Sequence, residues 1–205
     1  MTTMAALFLG PVAWAQGSVA SVQTQTSSVT ELTEWIALTG DHQRKHFYVI
    51  DKAQATLHVF DHNVRWQAST PVLVGAAIGD DSVPGIGQRV LADISPAERT
   101  TPAGRFVAEG GRNHQGEQIV WVDHHSAVSM HRIRPGSTHE RRAERLRTPT
   151  WADNRISYGC INVPVAFYNH YIHPRFAAQA TAVVYVLPET RSLQDQFGIP
   201  PPAGK

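Results

Sequence analysis

Cys160 is the only cysteine in 205 residues, and it sits in the stretch Ser157-Tyr158-Gly159-Cys160-Ile161-Asn162-Val163-Pro164. A lone thiol has three uses: an inert core residue, half of an intermolecular disulfide, or a nucleophile. The third needs a lowered pKa, supplied by a base, a cationic neighbour or a helix N-terminus. Pro164 suits the first turn of a helix running to about His173, whose amides would favour the thiolate. Gly159 permits a backbone conformation that side chains block. Consecutive amides in such a turn can point at a developing oxyanion, the donor arrangement acyl transfer needs. A general base is then required, and the chain has eleven histidines. His42 and His46 have helical spacing, but their stretch HQRKH lacks the glutamate of a zinc-protease helix. His58 and His62 fall in a strand and its turn, and His124 and His125 in another turn. His170 and His173 have no acidic ligand nearby in sequence, so no metal site is expected. His131 differs, because it ends the apolar strand AVSMH, where a rigid backbone can aim the ring at a neighbouring loop.

The elements that must position this pair are mostly strands. FYVID (47–51) and TLHVF (56–60), separated by KAQA, predict a hairpin. A third strand is expected from Pro71 to Val74, dissolving into a glycine-rich stretch that ends near Gly87. Further strands are read at 104–110, 118–123 and 127–133, and TAVVYVL (181–187) predicts a buried closing strand. Ahead of them, Ser28 and Glu31 fit a capping box, with Leu32, Trp35 and Ile36 on one helical face until Gly40-Asp41 stops it. Between 136 and 156 the chain alternates acid and base. This reads as a solvated helix capped by Ser137 or Thr138 and ended before Pro149, or as a basic lid over the site. From Pro188 the tail is expected to be frayed. The fold class expected is mainly β, with a covering helix.

Composition bounds the setting. With 42% hydrophobic and 17% charged residues, the chain is that of a folded protein, and a net charge of +1 gives no argument for nucleic acid. No apolar stretch is long enough for a membrane span in the mature form. Residues 4–13 are apolar and run into Ala13-Trp14-Ala15, a small-x-small cleavage pattern, although no positive charge precedes Met4. We therefore expect a signal peptide over 1–15 and export to the periplasm or cell envelope. In an oxidising compartment an unpaired thiol is a liability, which raises the weight of a chemical role for Cys160.

A strand-borne histidine followed by S-x-G-C-[IV]-N resembles the signature of the L,D-transpeptidase catalytic domain, the YkuD-like family of cell-wall enzymes. Here it reads Met130-His131-Arg132, then Ser157-Tyr158-Gly159-Cys160-Ile161-Asn162. TPAGRF (101–106) is similar to the family's Thr-Pro-x-Gly-x-Phe segment, and the opening strand FYVIDKAQATLHVF also matches. The likeness covers about 46–188, after a linker and helix at 16–45 and before a Pro-rich tail at 189–205. It implies a β-sandwich with the cysteine on a loop before a helix. It further implies that Cys160 attacks the third residue of a peptidoglycan stem tetrapeptide, expels D-Ala and hands the acyl group to an amine. His131 would be base and then acid, its other ring nitrogen oriented by the Arg132 carbonyl. Amides of Tyr158, Gly159 and Cys160 would hold the oxyanion. Ser157 and Asn162 would brace the loop or contact the stem peptide, as would Met130 and Arg132 at the cleft. The resemblance implies no metal or organic cofactor, stem peptides as partners, and a monomer.

Tyr158 replaces the family's frequent histidine, Arg132 its frequent Gly or Ser, and the segment between His131 and Ser157 is longer than in compact members. If water takes the acyl group the enzyme is an L,D-carboxypeptidase, and a peptidoglycan-binding domain without turnover is the non-enzymatic alternative. A sortase would place threonine before the cysteine and arginine on a later strand. An NlpC/P60 peptidase would reverse the order of cysteine and histidine.

Overall fold

Thr26 opens the first helix, α1 (Ser27–Thr39), its side-chain oxygen accepting from the Val29 N–H at 3.4 Å. The cap expected at Ser28 thus lies two residues earlier. The reason is tertiary: the Thr26 hydroxyl also donates to the Asp51 carboxylate at 2.8 Å, and this contact fixes where the helix starts. Gly40 ends α1 in the left-handed conformation, as its position in the sequence suggests. The computed structural model describes residues 25–200 apart from 135, 137, 138, 149, 178 and 179. The signal peptide, most of the linker, the caps Ser137 and Thr138, Pro149 and residues 201–205 lie outside the described residues.

Eight strands form one sheet in the order β3-β2-β1-β10-β5-β6-β7-β9, made of β1 (Phe47–Asp51), β2 (Thr56–Phe60), β3 (Trp66–Pro71), β5 (Gly104–Arg112), β6 (Gln118–Asp123), β7 (Val128–Arg132), β9 (Ile161–Val163) and β10 (Ala182–Val186). A second pair joins β4 (Val74–Gly75) to β8 (Arg155–Ser157). The protein is mainly β, as expected. The third strand begins earlier than the sequence suggested, at Trp66, where it pairs antiparallel with β2 along the edge opposite β1, and Val74 belongs to β4 instead.

The central strands β1 and β10 pair in parallel and are buried on both faces, which explains their unbroken apolar runs. Alternate residues split between two cores. Tyr48, Ile50, Leu57, Val184 and Val186 face Val120, Met130, Ile161 and Tyr168. Phe47, Val49, Phe60, Val183 and Tyr185 face Val29, Leu32 and Ile36 of α1 and Ile199 near the C-terminus. The second of these cores overturns the frayed tail. Residues 189–200 are docked: α5 (Leu193–Phe197) is capped by Ser192 and ended by Gly198, and Ile199 is buried. The Asp80 carboxylate accepts the N–H groups of Glu189, Thr190 and Arg191 and so anchors the start of this segment.

Two further expectations change. Among the described residues the α-helix of the acid-base segment is four residues long, α2 (Arg142–Arg145), entered through Arg141 in the left-handed conformation. Its charges are used in local pairs instead, Arg141 with Glu144 and Arg142 with Glu140. After Cys160, Pro164 caps rather than enters the helix, and three pieces follow: α3 (Val165–Phe167), a π-helical turn (Tyr168–Ile172) and α4 (His173–Ala177). In turn, Tyr168, Ile172 and Phe176 seal the first core from this side.

Candidate active site

Parallel pairing of β7 with β9 brings the strand of His131 to the loop of Cys160. The register sets Met130 beside Ile161 and His131 beside Asn162. Extended one residue back, it sets Ser129 beside Cys160, although 31 positions separate them in the chain. The Ser129 N–H points at the Cys160 sulfur from 3.5 Å, the Ser129 hydroxyl lies at 3.6 Å, and the Ala127 carbonyl at 3.7 Å. Cys160 is half-buried, and burial alone pushes its thiol up. The hydrogen bond and charge of His131, helped by both donors of Ser129, outweigh that and hold the pKa below its ordinary value.

The His131 Nδ1 lies 2.8 Å from the Arg132 carbonyl oxygen, the partner foreseen in the sequence. A carbonyl only accepts, so Nδ1 carries the hydrogen and Nε2 is left to exchange a proton. The helix expected to polarise the thiol does not adjoin it, since β9 intervenes before Val165. An amide and a hydroxyl from the neighbouring strand take that part. Sequence reasoning missed Ser129, and only the register could have found it.

The loop carrying Cys160 is tied from several sides. Gly159 has φ 122°, and a Cβ there would stand 2.8 Å from the Thr100 carbonyl oxygen, so glycine is required. Its carbonyl accepts from the Thr101 hydroxyl at 2.8 Å, and that hydroxyl accepts in turn from the Gly75 N–H. This places TPAGRF behind the loop. The Gly159 N–H is committed to the Ser157 hydroxyl oxygen at 3.1 Å, which withdraws it from the oxyanion role expected of it. Ser157 donates to the Cys160 carbonyl at 2.6 Å, and the Asn162 side-chain amide does so at 3.2 Å, so both brace the loop. Asn162 is itself held, because Arg142 Nη1 donates to its Oδ1 at 2.7 Å. The basic segment therefore reaches the cysteine loop through one arginine. Tyr158 lies under the Arg99 guanidinium, 3.9 Å from its ring centroid, a cation–π contact the sequence did not suggest.

Met130 does not belong with the substrate contacts expected of it. It is fully buried among the core residues, because alternation along β7 turns it away from the groove that His131 faces. Arg132 stays at the surface, bonded to the Asn169 side chain at 2.7 Å and stacked over Tyr168. Beside His131 opens a cavity of about 470 Å³, walled by Arg112, Glu117, Gln118, Arg132, Arg134 and Val165 among others. Other histidines have local partners: His58 meets the Ser69 hydroxyl, with burial pulling its pKa down to about 4, and His124 pairs with Glu109. Among the described residues no group of three or more His, Cys, Asp or Glu is placed to hold a metal ion. No helix there is long and apolar enough to cross a membrane.

No protein-family model and no curated protein matches the chain. Solved structures similar to it include the helical cell shape determining protein Pgp2 from Campylobacter jejuni, at 12% identity over 71% of this chain and 48% of that one, with a TM-score of 0.48. An L,D-transpeptidase from Mycobacterium smegmatis aligns at 15% identity over 70% of this chain and 58% of that one, with a TM-score of 0.38. The catalytic domain of the E. faecium L,D-transpeptidase aligns at 16% over 71% and 99%, with a TM-score of 0.38. The chain spans less than two thirds of the length of the first two. These likenesses carry no reaction and no residue role over to it.

Proposed function

We propose that the protein is a peptidoglycan L,D-transpeptidase, with Cys160 as nucleophile and His131 as general base. The observation that carries this reading is the β7–β9 register that sets Cys160 against the strand bearing His131, with the Ser129 N–H on its sulfur and the His131 Nδ1 oriented by the Arg132 carbonyl. The thiolate attacks the carbonyl of the third residue of a stem tetrapeptide, and the tetrahedral oxyanion faces the amides of Tyr158 and Cys160. The imidazolium of His131 returns its proton to the departing amine, D-Ala leaves, and a thioester remains. An incoming amine then attacks the thioester, loses a proton to His131 and releases the cysteine. Ser157 and Asn162 keep the loop in place, and Arg132 borders the ligand. The same reading has residues 1–15 directing export to the periplasm or cell envelope, and 46–188 as the catalytic unit.

Incubation with a disaccharide tetrapeptide tests this directly. Intact mass should show an adduct on the wild-type chain with D-Ala released, and Cys160→Ala should show neither. D-Ala release undiminished in Cys160→Ala would sink the mechanism. A product that is tripeptide alone, in the presence of excess amine acceptor, would favour an L,D-carboxypeptidase.

A further inference from the structure

The two amides assigned to the oxyanion are aimed by whatever holds the carbonyls of the same peptides. A trans peptide points its N–H opposite its C=O, and none among the described residues is cis. The Ser157 carbonyl accepts from the Ala76 N–H at 3.0 Å, so the Tyr158 N–H is turned away from Ala76. The Gly159 carbonyl accepts from the Thr101 hydroxyl at 2.8 Å, which turns the Cys160 N–H away from Thr101. One stretch of chain, 76–101, therefore grips both peptides, once from each of its ends.

Arg99 closes that grip. Its carbonyl accepts from the Ala77 N–H at 3.1 Å and joins the two ends of the stretch. A Cβ at Gly75 would collide with that carbonyl oxygen, so glycine there permits the closure. The Arg99 guanidinium lies 3.9 Å from the centroid of the Tyr158 ring, on the residue between the two gripped peptides. Its Nε and Nη2 both donate to the carbonyl of the buried Ile94, at 3.3 and 3.1 Å, which fixes its place. The neighbouring Glu98 is taken by Arg89 at 2.6 Å, so the charge of Arg99 meets a neutral carbonyl and the ring face. Gly159, next to Tyr158, has the freest backbone in the loop, so the loop's direction must be fixed by its neighbours.

Resting on the transpeptidase reading above, we infer that Arg99 is a positioning residue for the oxyanion. By stacking on Tyr158 it keeps the Tyr158 and Cys160 amides in the direction that the tetrahedral intermediate requires. It acts through Tyr158 and takes no part in proton transfer. Tyr158 thereby gains a use where the sequence showed only a departure from the family's pattern.

The test separates two reactions of the same sulfur. Acylation by the disaccharide tetrapeptide passes through an oxyanion, whereas alkylation by iodoacetamide displaces iodide and forms none. Arg99→Ala should lower the saturating acylation rate by about tenfold or more, the order that a displaced oxyanion donor costs. The half-saturating tetrapeptide concentration, the alkylation rate and its pH midpoint should stay as in wild type. Arg99→Lys, which returns a cation to the ring, should recover part of the acylation rate, and Arg99→Met should not. The double variant Arg99→Ala, Tyr158→Leu should be no slower than the slower single variant, because both remove one contact.

Undiminished acylation in Arg99→Ala overturns the inference while leaving the transpeptidase reading intact. Equal losses of acylation and alkylation overturn it too, because they report a loosened loop rather than a misdirected amide. So do equal rates in Arg99→Lys and Arg99→Met, or losses that multiply in the double variant. Should the wild type form no acyl-enzyme, that reading fails instead, and amide hydrogen exchange in the resting protein still decides the hold. The Tyr158 and Cys160 amides should exchange faster in Arg99→Ala than in wild type, with Arg99→Lys between, and unchanged exchange would overturn it.

Discussion

Acidity at the Cys160 sulfur depends on donors that lie on one neighbouring strand, Ser129 two residues before His131. Burial works against the thiolate, so the donors must exceed that cost. Because the folded pKa lies below the ordinary 9.0, alkylation by iodoacetamide should gain its full rate at a lower pH than a free thiol does. Ser129→Ala removes the hydroxyl and keeps the N–H, and should raise the midpoint of that profile. Ser129→Thr should restore part of it. A midpoint that does not move would remove the Ser129 hydroxyl from the account of the thiol.

Among elements, the short strand β9 has the largest consequence, since its parallel pairing with β7 brings Cys160 to Ser129 and His131. A slip of one residue would turn Met130 into the groove and His131 into the core. The segment around α2 acts on the same strand through the Arg142 bond to Asn162. Asn162 is 1% exposed, so Arg142→Ala leaves its side-chain oxygen buried without that donor. A loss of about 1–3 kcal/mol in unfolding free energy should follow. Acyl-enzyme formation should slow as well, because the Asn162 amide no longer braces the Cys160 carbonyl, while the alkylation midpoint stays where it is. Slowing together with a shifted midpoint would mean that Arg142 acts on the thiol itself. The sequence presented this segment as a solvated helix or a lid; its opposite charges do pair locally, but one of its arginines points inward.

At the scale of the whole molecule, a buried ionic cluster holds the chain end behind the cysteine loop. Lys52 Nζ donates to Asp80 at 2.9 Å and to the carbonyls of Gly79 and Thr101, while Arg155 at the start of β8 pairs with Glu189. Burial would raise the Asp80 pKa, but hydrogen bonds from Thr190, Lys52 and the Glu189 and Thr190 amides hold it far below its ordinary 3.8. The sign follows: the stabilisation is complete above the unfolded value and fades as pH falls toward the folded one. Chemical denaturation at a series of pH values should find the wild type losing stability below about pH 4, with Asp80→Asn flatter there. Lys52→Met should cost about 3–5 kcal/mol at neutral pH, because it leaves the buried Asp80 with only the more distant Arg191, 3.7 Å away, as a cation. A cost below 1 kcal/mol would show that the surrounding amides suffice.

The local geometry was legible in the sequence. The lone Cys160 after Gly159, His131 at a strand end and its Arg132 carbonyl all depend on residues within a few positions, as do the β1–β2 hairpin and the glycine that ends α1. What lies far apart in the chain was decided by tertiary structure alone. Parallel register brought Ser129 to the sulfur and turned Met130 inward, Asp51 moved the start of α1, and Asp80 with the second core docked a tail that composition made look loose. Arg99 over Tyr158 and Arg142 on Asn162 belong to the same class. Periodicity and capping act over one or two turns, whereas these contacts exist only after strand pairing has closed loops of tens of residues.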